Sequence, residues 1–360
     1  SILTNETSAD YAGKLMMNEN AVVLQLNDEL SRKGVVLSDL HTAIVQHGKL
    51  VSDLIGKVIN SDGSKLIAAT SALANEGLFL YVPKGVNIEK PLLCKISNNL
   101  SGQAAFNHSL IWLEEDSSCS LLLEFTSPHE QQINDGLCLS MEEIHLGNGS
   151  SLSLCEVQEF QHSVWNISFE KAQLEKNAQL NWTYGALGSH MSKNFLTVDL
   201  NGEGAEAKLK GFYFPSKNQR LDLDTQQNHL AAKTISDLLY KGAATSNGKA
   251  IWEGMIYVDA QAQQTNAYQA DRNLVLSEQA DIKSIPGLEI LANDVSCSHG
   301  ATVGQLDDDE LFYLQSRGIP LTEAEQMLVT GFYAEILDTI PLEAERKRIS
   351  REIIKKLDIS

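Results

Sequence analysis

From about Leu78 to Thr302 the chain runs in short alternations of apolar and polar residues. Leu180, Trp182 and Tyr184 alternate with Asn181 and Thr183, and Leu196, Val198 and Leu200 with Thr197 and Asp199. Trp252, Gly254, Ile256 and Val258 keep the same beat. Period two over a few residues predicts half-buried strands. A recurring corner separates them: Leu113-Glu-Glu-Asp-Ser-Ser-Cys119, Leu146-Gly-Asn-Gly-Ser-Ser-Leu152, Leu174-Glu-Lys-Asn-Ala-Gln-Leu180 and Leu276-Ser-Glu-Gln-Ala-Asp-Ile282. Leu200-Asn-Gly-Glu-Gly-Ala-Glu-Ala207 fits with one insertion. Each is apolar, three polar or glycine residues, a small residue, a polar residue, then apolar. The first three corners recur at intervals of roughly 25–35 residues, the range of solenoid coils. A small residue suits a tight turn against the coil below. The pattern predicts a mainly-β chain built on a parallel β-helix, right-handed as parallel crossovers are. A β-sandwich with ordinary hairpins is the alternative. Few Asn-Gly or Asp-Gly pairs and only 7 prolines weigh against it.

The flanks read differently. Leu24, Leu26, Leu30, Leu40, Ile44, Leu50, Leu54 and Ile55 are apolar among polar residues, and Ser38-Asp39 offers a helix start. After Asp307, Thr322-Glu-Ala-Glu325 has the form of a capping box, and Leu328, Phe332 and Ile336 recur at helical spacing. Pro341 can open a further helix, carrying Ile349, Ile353 and Leu357. Glu345-Arg-Lys-Arg348 and Lys355-Lys356 read as a solvated helix face. The expected division is a mainly helical region over 1–77, a β-helix core over 78–305 and a C-terminal helical region over 306–360.

Composition narrows the function classes. A net charge of −19 over 360 residues excludes nucleic acid as the main partner. No apolar run is long enough to cross a bilayer, and the N-terminus lacks the basic-then-apolar pattern of a signal peptide, so a cytoplasmic protein is expected. The five cysteines, Cys94, Cys119, Cys138, Cys155 and Cys297, are odd in number and scattered, as reduced thiols are. No Gly-x-x-x-x-Gly-Lys-Ser/Thr loop occurs, so ATP hydrolysis by that route is not expected. Asp222, Asp224, His229 and Ser236 could be drawn as a hydrolase triad, but no nucleophile elbow surrounds Ser236. Asp307, Asp308, Asp309 and Glu310 lack the spacing of a calcium loop and read as an acidic turn.

Cys297 and His299 are the candidate metal ligands. Two residues apart on an extended strand, they face one way and offer a thiolate and an imidazole, which iron and zinc accept. A buried strand pair is the bland alternative. Two ligands do not complete a site.

The surrounding blocks carry a resemblance. They are Leu78-Phe-Leu-Tyr-Val-Pro-Lys-Gly-Val86, Glu89-Lys-Pro-Leu92, Lys241-Gly242, Glu253-Gly-Met-Ile-Tyr-Val258, Ala262-Gln-Gln-Thr265, Leu274-Val-Leu-Ser277, Pro286-Gly-Leu-Glu-Ile290, Asp294-Val-Ser-Cys-Ser-His-Gly-Ala-Thr-Val-Gly304 and Leu311-Phe-Tyr-Leu-Gln-Ser-Arg-Gly-Ile319. In this order, from about Gly34 to about Gly331, they resemble the SufD branch of the SufB/SufD family of iron–sulfur cluster assembly proteins. Many SufD sequences carry a longer helical region before the Gly34 block than the thirty or so residues here. The resemblance implies a β-helix core and a non-catalytic subunit of the SUF scaffold. It implies pairing with SufB through the β-helices and docking of the SufC ATPase on the C-terminal helices. It places Cys297 and His299 at the SufB junction, where a transient iron or iron–sulfur cluster would be shared with SufB and held weakly by the isolated chain. A homodimer, working as a SufB-like scaffold, is the second reading. A carbohydrate-active β-helix enzyme is the third, though such enzymes need carboxylates clustered along an exposed face and are usually exported.

Overall fold

The structure is a computed structural model that describes residues 10–18, 21–128 and 134–357. Three strands and three helices come first: β1 (Gly13–Asn18), β2 (Ala21–Leu26), α1 (Asp28–Arg32), β3 (Val36–Asp39), α2 (Leu40–Leu54) and α3 (Lys65–Leu73). Sixteen strands follow: β4 (Leu78–Val82), β5 (Leu92–Ser97), β6 (Ala104–Leu113), β7 (Ser118–Thr126), β8 (Gly136–Leu146), β9 (Ser151–Glu159), β10 (Val164–Leu174), β11 (Gln179–Ala186), β12 (Met191–Leu200), β13 (Glu206–Tyr213), β14 (Arg220–His229), β15 (Ile235–Ala244), β16 (Lys249–Val258), β17 (Thr265–Val275), β18 (Asp281–Ile290) and β19 (Val295–Gly304). α4 (Asp308–Ser316), α5 (Leu321–Leu337) and α6 (Glu343–Leu357) close the chain.

Strands β4 to β19 alternate between two sheets. Even-numbered strands stack in one and odd-numbered strands in the other, every neighbouring pair parallel. This is a β-solenoid of about eight coils, not a sandwich of antiparallel sheets. Register stacks like on like. Leu113, Leu146, Leu174 and Leu200 form one inward column, continued by His229, Val258 and Ile290. Leu152 and Leu180 stack in the facing sheet. These leucines are at most 1% exposed, so each removes nearly its whole side chain from water.

The repeated corners are where the coils turn. Asp116, Gly149, Asn177, Gly204 and Lys233 have positive φ. The first four amides of that column bond to carbonyls of the next corner: Asp116 to Asn148, Gly149 to Lys176, Asn177 to Glu203 and Gly204 to Ala232. Asp and Asn tolerate the left-handed conformation better than most residues. Gly149 has a second reason, because a Cβ there would sit 2.5 Å from Asp116 Oδ1. The small residue after each, Ser117, Ser150, Ala178, Ala205 or Thr234, is fully buried.

Helices cover both outer faces. α2 and α3 lie on the even sheet, where Leu40, Val51 and Leu54 pack with Phe79 and Leu110. Asp39 caps α2 by accepting from the Thr42 amide at 2.9 Å. Glu143 pins the segment between the two helices, accepting from the amides of Gly56, Val58 and Ile59 and meeting His108 Nε2 at 2.7 Å. α5 and α6 fold back on the odd sheet, where Val329, Tyr333, Ile336, Ile349 and Ile353 pack on Leu122, Val157, Phe212 and Phe214.

Several expectations for the flanks change. Leu24 and Leu26 are on strand β2, which pairs antiparallel with β1; the adjacent β-branched Val22 and Val23 suit an edge strand better than a helix. The Thr322–Glu325 capping box does not form, because α5 already begins at Leu321 with Pro320 at its cap and no side-chain cap bond. Arg348 and Lys356 are not on a solvated face. Arg348 ion-pairs with Glu124, Glu159 and Glu345, and the buried Lys356 donates to Gln219 Oε1 at 2.6 Å.

Candidate metal centre at the open end of the solenoid

The two ends of the solenoid differ. At the first, strands β2 and β3 close the sheets with antiparallel partners. At the last, β18 and β19 are terminal in their sheets and, among the described residues, pair on one side only. A free strand edge presents unpaired amides and carbonyls to whatever can continue the sheet. Ile285, Ile290, Leu291 and Val303 are exposed around it.

Cys297 and His299 lie on β19. Cys297 ends the column Cys119, Leu152, Leu180, Ala207, Ser236, Ala267, and His299 ends the column Leu121, Leu154, Trp182, Leu209, Leu238, Gln269. Both therefore continue rows that face inward lower down, at the level where the lumen opens. Cys297 is half-buried among Ile256, Val258, Ala267 and Ala292, whereas His299 is exposed. Burial raises the Cys297 thiol above its usual range, with the Ala267 backbone working against it. The thiol is thus neutral at neutral pH. Among the described residues no third Cys, His or carboxylate joins the pair.

The other cysteines are free and buried. Cys94, Cys119 and Cys138 are in the solenoid core, and burial pushes Cys119 and Cys138 up to about 12. Cys155 faces outward under α5 and α6. His229 and Ser236 do meet, at 2.8 Å, but inside the core; the other His229 nitrogen meets Thr234 Oγ1 at 2.8 Å. Asp222 and Asp224 point the other way, to Lys193 at 2.7 and 2.8 Å, so the four make no triad. Asp307 caps α4, accepting from Asp309 N at 2.8 Å.

One further donor cluster matches no sequence motif. Glu142, Glu156 and Glu170 bring carboxylate oxygens within 4.8 Å of one another, fully inside the solenoid. Their signal in the sequence is spacing, since each is fourteen residues after the last. Fourteen residues is one strand and one corner here, so 142 and 170 fall in register and 156 faces them.

Two family descriptions match the chain: residues 8–94 as the SufBD protein N-terminal region, and residues 95–332 as the SufBD core domain of SUF system FeS cluster assembly. The chain is 31% identical over 342 residues to the iron–sulfur cluster assembly protein SufD of Bacillus subtilis, covering 93% of this chain and 76% of that one. It is 28% identical over 333 residues to SufB of the same organism, covering 92% and 71%. A SufBD family protein of Staphylococcus epidermidis is 27% identical, with the same coverage. The near-equal likeness to SufB and SufD does not divide the two branches, and the core match supersedes the carbohydrate-enzyme reading. A parallel β-solenoid with helical flanks, matched over both of its regions, makes this chain a member of the SufBD family of iron–sulfur cluster assembly proteins.

Proposed function

We propose that this chain is a non-catalytic scaffold subunit of the SUF machinery, of the SufD type, that pairs end to end with a SufB subunit. The observation that carries the reading is the coincidence, on one strand, of a free sheet edge with an incomplete donor pair. Among the described residues β19 has no partner on its outer side, and Cys297 and His299 are on it. A partner strand added there covers the exposed Ile285, Leu291 and Val303 and brings further thiolate or carboxylate ligands to the pair. In this reading iron or a nascent cluster is cargo held between two chains.

The C-terminal helices are the proposed site for the SufC ATPase, but not through the stripe Leu328, Phe332, Ile336. Ile336 is buried against this chain's own sheet, and Leu328 and Phe332 are half-covered. The apolar residues left outward are Phe312 (72% exposed) and Tyr313 (57%) on α4, with Leu321 and Met327 on α5. They make a patch that suits a partner surface.

A SufB-like homodimer is the second reading, favoured by the 28% identity to SufB. Co-purification of the chain with SufB and SufC, each present or omitted, separates the two. Stable complexes only when SufB is present support the SufD assignment. An equally stable, cluster-holding dimer of this chain alone replaces it.

A further inference from the structure

The three glutamates inside the solenoid pose an electrostatic problem. Glu142 and Glu170 are directly opposed on adjacent strands, an arrangement unfavourable for like charges. Glu156 meets them from the facing sheet, and all three are at most 2% exposed. Among the described residues neither carboxylate oxygen of Glu142 has a hydrogen-bond partner. Glu170 accepts from Asn194 Nδ2 at 2.5 Å, which leaves Asn194 Oδ1 without a partner. The Tyr184 hydroxyl is a separate observation. It is 1% exposed, stands beside Glu156 in register, and has no hydrogen-bond partner among the described residues. Burial, then Glu170 and Glu156, push its proton affinity up, so it sits in the field of the cluster. Buried polar groups are rarely left this way. Either protons or a cation must compensate the carboxylates.

We propose that Glu142, Glu156 and Glu170 form an internal binding site for an oxygen-preferring divalent cation, with Tyr184 and Asn194 lining it. The donor set is all oxygen, which selects hard cations over thiophilic ones. The size fits. Three oxygens no more than 4.8 Å apart can be reached from one point at most about 2.8 Å from each, and rotamer adjustment of a few tenths of an ångström brings that into the roughly 2.3–2.6 Å range of calcium, with manganese slightly shorter. The site is remote in sequence from Cys297 and His299 and uses none of their chemistry. Its role is to neutralise and brace the middle coils, independent of the scaffold reading above.

Manganese is the probe, because its bound and free forms differ in electron paramagnetic resonance. The full chain is refolded from urea with Mn²⁺, desalted, and its metal counted. The expected result is about one tightly held ion per chain. Glu156→Gln and Glu170→Gln should each lower it at least tenfold, while Glu278→Gln, at an exposed residue outside both sites, leaves it unchanged. Unfolding midpoints in urea show whether the variants fold. If one does not, the wild-type chain decides through its own midpoint, which should rise with Mn²⁺ concentration. A wild-type chain that retains no manganese, has an unmoved midpoint, and shows an infrared band of protonated carboxyls above neutral pH overturns the proposal in favour of proton sharing. Full retention in the folded glutamine variants overturns it as well.

Discussion

Arg348 Nη2 lies 2.6 Å from Glu124 Oε1, which ties the last helix to a strand 224 residues earlier. The same guanidinium reaches Glu159 through Nη1 at 2.6 Å and Glu345 through Nε at 2.7 Å. One cation thus serves three carboxylates, with Lys95 helping at Glu124. Because Glu124 is buried, its charge depends on these partners. Arg348→Ala strands buried carboxylates and should cost about 3–5 kcal/mol. Urea denaturation measures the loss, and limited proteolysis should show α6 released first. A variant as stable as the parent would mean that apolar packing alone holds the helix.

The same contact gives an acid dependence. Burial opposes ionisation of Glu124, but Arg348 and then Lys95 outweigh it and hold the carboxyl below the usual range. A folded value below the unfolded one, about 4.3, means that the unfolded chain takes up the proton first. The stabilisation is complete above the unfolded value and is lost as pH falls through the folded one. Arg348→Ala should remove that acid limb from a plot of stability against pH.

Histidine acts in a higher window. Burial takes His229 down to about 4, and its hydrogen bonds go to Thr234 and Ser236, not to carboxylates. The unfolded imidazole titrates near about 6.5, so its contribution is whole above that and declines as pH falls toward 4. His145, stacked on Trp112, is lowered by burial in the same way. His229→Gln should flatten the stability curve between these values by about 1.4 kcal/mol per pH unit, one proton's worth. An unchanged slope would show that His229 is already exposed to water.

Leu180 and Leu276 should behave differently on change to alanine. Leu180, 1% exposed in the core, should cost about 2–5 kcal/mol on change to alanine. Leu276 is half-buried on the outside, against the α5–α6 cluster, and should cost less. Urea midpoints of the two variants make the comparison. Equal losses would contradict the placement of Leu276.

For the ATPase contact, truncation after Asp307 is a poor test, since it would uncover Phe212, Phe214 and Leu122. Phe312→Asp with Tyr313→Asp leaves that packing intact, because both residues are exposed. Binding to SufC should fall at least tenfold with little change in the unfolding midpoint. Unaltered binding would move the contact off α4.

The solenoid was legible because its corners repeat chemistry as well as spacing. A left-handed residue followed by a small one, at Asp116, Gly149, Asn177 and Gly204, marks four of the five repeated corners. The Cys297–His299 pair was legible as two residues on one face of a strand. What was not legible depends on contacts distant in sequence. Arg348 looks like any basic residue on an amphipathic helix until Glu124 and Glu159 are brought beneath it. Glu142 and Glu170 look solvent-facing in a strand with polar neighbours, and only register turns them inward. Leu24 sits in a stretch too short for its period to choose between helix and edge strand.

The proposed sharing of a metal between β19 and a partner chain is tested by His299→Ala. Iron and acid-labile sulfide would be measured on the complex reconstituted anaerobically with SufB and SufC. The account predicts that the variant assembles normally, since strand pairing and apolar contact build the junction, but holds several-fold less cluster. Cys297→Ala should match it if the thiol is a ligand and fall short of it if the thiol only packs. Wild-type cluster content in an intact His299→Ala complex would contradict the account.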